Sequence, residues 1–128
     1  MSYYFSKTIQ ASFDEAIVRA TESLKTEGFG VLTEIKIHDK LKEKLGVDFQ
    51  RYTILGACNP AFAYKALQAE NKIGTMLPCN VIVQDLGNGK IEVAAVNPIE
   101  SMKAIENPEL GSVANQVTEM LKRVIDQL

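Results

Sequence analysis

The chain has 128 residues, 46% of them hydrophobic and 23% charged, a composition that excludes a disordered or fibrous protein and fits one globular domain. A chain of this length buries about two thirds of the surface its unfolded form exposes, so folding requires no disulfide or metal staple. With 14 basic and 16 acidic residues, a formal charge of −2 and no run of either sign, it lacks the clustered Lys and Arg that bind phosphates, which argues against a nucleic-acid partner.

The first residues, Met1-Ser2-Tyr3-Tyr4-Phe5-Ser6-Lys7, do not form a basic segment followed by an apolar core, and no apolar stretch is long enough to span a bilayer. The expectation is a cytoplasmic protein without a membrane partner, in which Cys58 and Cys79 stay reduced.

Tyr3 to Gln10 alternate as a half-buried strand, with Tyr3, Phe5 and Ile9 on one side. Ser12 with Glu15 three residues later forms a capping box, and Phe13, Ala16, Ile17, Ala20 and Leu24 recur at helical spacing until Gly28. This predicts a helix over 13–27. A second strand is expected over Phe29–Ile37, with Val31, Thr33, Ile35 and Ile37 sharing a face. A short surface helix capped by Asp39 and ended by Gly46 follows, then an apolar strand over Arg51–Cys58.

Asn59-Pro60 combines an N-capping side chain with proline at the first helical position, which predicts a helix from Pro60 to Glu70. After a loop containing Gly74, the runs Cys79–Asp85 and Lys90–Asn97 flank Leu86-Gly87-Asn88-Gly89 and predict a hairpin. Asn107-Pro108 repeats the capping pair, and Leu110, Val113, Ala114, Val117, Leu121, Val124 and Leu128 form the stripe of a final helix. The order predicts one α+β domain, a two-layer sandwich with helices on one face of the sheet. Solvent or a partner would meet the other face.

Motifs for dinucleotide, P-loop, C-x-x-C, nucleophile-elbow or H-E-x-x-H chemistry do not occur. The single histidine, His38, falls at a strand-to-helix turn, where a surface or capping role is expected. A lone imidazole makes no metal site. What remains is Cys58 with Asn59 and Pro60, and Cys79 with Asn80, each cysteine beside an asparagine at the end of an element.

A thiol preceding a helix N-terminus is a candidate for a lowered pKa, hence for nucleophilic, redox or metal chemistry. The plainer reading makes both cysteines small buried hydrophobes, and the two readings stay open. The same helix start could hold a small anion, with Asn59, Asn80 and Thr75 as side-chain partners. Tyr64, Lys65 and Met76 are near in sequence, and the tyrosine and methionine are expected to complete the core.

The segments Gly56-Ala57-Cys58-Asn59-Pro60, Ala63, Ala66-Leu67, Glu70 and Ile73-Gly74-Thr75-Met76-Leu77-Pro78-Cys79-Asn80-Val81-Ile82-Val83 resemble domain-of-unknown-function family three hundred and two, found chiefly in bacteria and archaea. The resemblance spans nearly the whole chain in element order and is most specific over Ile54–Pro98. It implies a TATA-binding-protein-like fold, β-α-β(4)-α, with a five-stranded antiparallel sheet, and a homodimer. It implies no established activity or cofactor. Its signature residues are Cys58, Asn59, Pro60, Leu77, Pro78, Cys79 and Asn80. The resulting expectation is a dimeric domain that binds or senses a small molecule or small anion, with a candidate site at Cys58, Asn59, Pro60, Thr75, Cys79 and Asn80. The alternatives are a thiol-dependent redox enzyme or metal-binding protein, and an interaction module with buried cysteines.

Overall fold

The computed structural model describes residues 2–128 as one five-stranded sheet with five helices. In chain order the elements are β1 (Tyr4–Gln10), α1 (Phe13–Thr26), β2 (Gly30–Lys36), α2 (Ile37–Leu45), β3 (Tyr52–Cys58), α3 (Pro60–Ala69), β4 (Cys79–Gly87), β5 (Lys90–Val96), α4 (Pro98–Ser101) and α5 (Glu109–Asp126), with a 3-10 turn at Ile73–Met76. The strands lie in the order β1-β5-β4-β3-β2, every neighbour antiparallel. With α2, α3 and α4 set aside, the order is β-α-β(4)-α, as expected.

The core follows from two periodicities. Along the central strands the inward positions are Leu55 and Ala57, Val81 and Val83, and Val93 and Ala95, all buried. Onto them α5 lays Val117, Leu121, Val124 and Ile125, and α1 lays Phe13, Ala16, Ala20 and Leu24. The two helices pack side by side on the same sheet face. Among the described residues no helix is long and apolar enough to cross a membrane.

Local signals account for most boundaries. Ser12 Oγ accepts from the Glu15 amide at 3.1 Å, as a capping box requires. Asn88 and Gly89 have φ of 56° and 75°, so the β4–β5 turn uses the left-handed pair that matches strand twist. Asn107 Oδ1 accepts from the Glu109 amide at 3.0 Å and caps α5.

Three expectations are corrected. A bulge between Val31 and Thr33 breaks β2; Val31 pairs with inward Ala57, whereas Thr33 and Ile35 pair with outward Gly56 and Ile54, so they do not share one face. The helix α2 starts at Ile37, not at Asp39; His38 lies in its first turn, where its Nδ1 accepts from the Tyr52 amide at 2.9 Å. Asn97-Pro98 opens the unforeseen α4, with Asn97 Oδ1 accepting from the Ile99 amide.

Gly56 marks where the sheet accepts no side chain. A Cβ there would lie 2.3 Å from Thr33 Oγ1 and 2.8 Å from Pro78 Cγ. The threonine can rotate, but the proline ring cannot withdraw without moving the Leu77–Cys79 segment. Gly56→Ala is therefore expected to destabilise the fold by about 1–3 kcal/mol, the usual cost of overpacking. An unchanged urea midpoint would show that this contact does not constrain the sheet.

Candidate functional site

The end of β3 and the start of β4 lie side by side under α3 and α5, and an apolar cavity of about 300 Å³ opens there. Its sheet wall is Ala57 with both cysteines, and Leu77 and Pro78 extend that wall. From α3 come Phe62, Ala63, Ala66 and Leu67, one helical face; from α5 come Leu110, Val113, Ala114 and Val117; Pro98 and Met102 close the α4 side. Every lining residue is uncharged. The lining residues that carry a polar side-chain atom are Cys58, Cys79 and Asn59.

Hydrogen bonds of long sequence reach set the helix positions. Asn107 Nδ2 donates to the Ala69 carbonyl at 2.8 Å and to Glu70 Oε1 at 3.1 Å, tying the end of α3 to the entry of α5. Buried Asn97 Oδ1 accepts from Thr118 Oγ1 at 3.2 Å, which fixes the α4 turn against α5. Asn59 Nδ2 donates to the Glu27 carbonyl at 3.2 Å and reaches Met120 Sδ at 3.8 Å, joining the α3 entry to the end of α1.

The Asn59 contacts alter the expected capping. Pro60 does occupy the first turn of α3, but the Asn59 side chain does not cap it, because its amide is turned toward Glu27. The Asn59 carbonyl still accepts from the Ala63 amide at 2.9 Å, but the earlier N–H groups of the helix start gain no bond from the Asn59 side chain.

The six candidate residues do not form one cluster. Cys58, Asn59 and Cys79 border the cavity. Pro60 is exposed at the helix start, and Thr75 is exposed in the 3-10 turn, where its hydroxyl donates to the Lys72 carbonyl. Asn80 is exposed on the helix-free sheet face, in a shallow groove with Tyr4, Ile82 and Ala94. Tyr64 and Met76, expected in the core, are 65% and 41% exposed. Sequence reasoning missed Phe62, Ala66, Leu110 and Val113; their signal was the run of alanines on the inner face of α3, which leaves room where larger side chains would meet α5.

The strand register places Cys79 opposite Ala57, so the cysteines are one step out of phase and alternation sends their side chains to opposite faces. Both are free thiols, Cys58 half-buried and Cys79 buried. Burial, helped by the nearby Cys58, pushes the Cys79 thiol up to about 11, so it is neutral at physiological pH. His38 sits at the other end of β3, beside Tyr52; at about 3.3 Å per residue that is roughly 20 Å from Cys58, beyond reach as a general base.

The raised pKa has a consequence for stability. A group whose folded pKa exceeds its unfolded value stabilises the fold fully below the unfolded value, here 9.0, and loses that contribution as pH rises through the folded one. Stability should therefore fall between pH 9 and pH 11 by up to roughly 3 kcal/mol. Cys79→Ala should abolish this part of the pH dependence; an identical alkaline slope in the variant would contradict it.

Comparison with known proteins places this geometry in a family. No curated protein matches the chain. The crystal structure of an uncharacterized conserved protein DUF302 from Bacillus stearothermophilus superposes with a TM-score of 0.90 at 31% sequence identity, covering 99% of this chain and 98% of that one. Residues 5–128 match the family described as Domain of unknown function DUF302, and the chain belongs to that family.

Proposed function

We propose that this protein is a binding domain whose ligand is a small uncharged apolar molecule, or the apolar part of a larger one, held between α3, α5 and the ends of β3 and β4. The observation that carries the reading is the cavity of about 300 Å³ with uncharged walls. At about 30 Å³ per water it has the volume of roughly ten waters, yet it offers them few polar partners. Filling it with an apolar group recovers contacts that the empty walls lack. The neutral Cys79 thiol and the distance to His38 favour binding over thiol chemistry.

Octanol is a suitable probe, being neutral and of matching size. It should raise the melting temperature and perturb the methyl resonances of Leu110, Val113 and Val117. Ala63→Phe, which places a ring in the cavity, should weaken that binding roughly tenfold or more while keeping the circular dichroism of the parent. Equal octanol binding by parent and variant would refute the site.

We further propose that the protein is a homodimer through the helix-free sheet face. Tyr3 and Tyr4 are 69% and 43% exposed and pack edge to face at 5.0 Å, next to the groove that Tyr52, Ile82 and Ala94 line. An exposed aromatic and aliphatic face of this kind favours association. Light scattering should give twice the 14.1 kDa chain mass, and Tyr4→Lys should shift the protein toward one chain mass. The mass of a single chain for the parent at micromolar concentration would rule the dimer out.

A further inference from the structure

At the opposite end of β3 from the apolar cavity, a polar cleft of about 400 Å³ opens between the first turns of α1 and α2 and the ends of β2 and β3. Its guanidinium is held in place by the chain itself. Arg51 pairs with Asp14 at 2.9 Å and lies 4.4 Å over the Phe13 ring; one guanidinium nitrogen makes the pair, so other N–H donors stay available. His38 Nδ1 lies 2.9 Å from the Tyr52 amide nitrogen and 3.1 Å from the Tyr52 carbonyl oxygen, which fixes the ring at the cleft. Its Nε2 stands 3.7 Å from the Asp39 carboxylate, beyond ordinary hydrogen-bond reach.

Beneath these groups lies Thr53, only 1% exposed, whose hydroxyl has no partner among the described residues. A buried, unpartnered hydroxyl destabilises the free protein and calls for an explanation. The charges narrow it. Asp14 is matched by Arg51, which leaves Lys36 on one side and Glu34 and Asp39 on the other, without Lys or Arg partners among the described residues. A simple anion would meet a lining that is negative overall, and a simple cation would leave Lys36 and Thr53 unused.

We propose that this cleft binds a small zwitterion of the α-amino-acid class, with its carboxylate toward Arg51, Lys36 and the Thr53 hydroxyl and its ammonium toward Glu34 and Asp39. Both signs of the ligand then meet complementary groups, and the orphaned hydroxyl gains a partner.

The test is a titration of the full chain with glycine, serine and glutamine, followed by amide chemical shifts, with acetate and methylammonium as single-charge controls. Saturable millimolar binding of at least one amino acid is expected, with shifts centred on His38, Tyr52 and Thr53 and affinity for either control roughly tenfold weaker. Arg51→Gln should weaken the amino acid to a similar extent, as should the exposed Lys36→Gln should the arginine variant fold poorly. Thr53→Val should weaken binding while raising the melting temperature, because it removes the unsatisfied hydroxyl. Non-saturating shifts for all three amino acids, equal affinity for acetate, or unchanged affinity across the variants would overturn the proposal.

Discussion

The apolar stripe of α5 is the constraint on which the rest depends. Its C-terminal half, with Leu121, Val124 and Ile125, fills the core shared with Leu24 of α1 and the central strands. Its N-terminal half, with Leu110, Val113, Ala114 and Val117, roofs the cavity under α3. The helix is anchored at its C-terminal end: Ser23 Oγ donates to the Val124 carbonyl at 2.7 Å, Arg123 pairs with Glu27 at 2.8 Å, and Lys7 Nζ donates to the Asp126 and Leu128 carbonyls. A shift of α5 along its axis would break those bonds and would open or close the cavity with them.

The cavity exists because the side chains around it are small. Ala57 on the sheet, Ala63 and Ala66 on α3 and Ala114 on α5 all line it, where leucines would have met. Protein interiors are close-packed, so an apolar space of this size gives up contacts that larger residues would supply. The hydrogen bonds of Asn107 and Asn97 hold α3 and α4 at their distance from the strands and keep the space from collapsing. Stability is given up locally in exchange for room.

Much of the fold was legible because its signals are local. Ser12 and Glu15, the Asn88-Gly89 turn, and the repeats of Leu and Val along α5 each act within a few residues, and each produced the element expected. The errors arose where a distant partner decided. Asn59 carries every feature of an N-cap, yet the Glu27 carbonyl, 32 positions earlier in sequence, claims its amide. The bulge in β2 depends on fitting Val31 and Thr33 against β3, which no alternation within β2 reveals. The two cysteines stood out by their neighbours, but which faces they take follows from the β3–β4 register. Thr75 and Asn80, close to Cys79 in sequence, lie away from it because a 3-10 turn and strand alternation carry them elsewhere. A cavity is a property of the space between elements, and its lining from α3, α4 and α5 had no common motif to announce it.

The proposed binding reading requires the space under α3 and α5 to be a persistent, apolar, ligand-accessible cavity. Crystals pressurised with xenon test it most directly, since xenon enters dry apolar cavities and leaves polar, hydrated ones to water. The account predicts a xenon peak bounded by Phe62, Ala66, Leu110 and Val113, and its loss in Ala63→Phe crystals. A cavity filled by a chain of ordered waters, or closed by repacked side chains with no xenon bound, would contradict it.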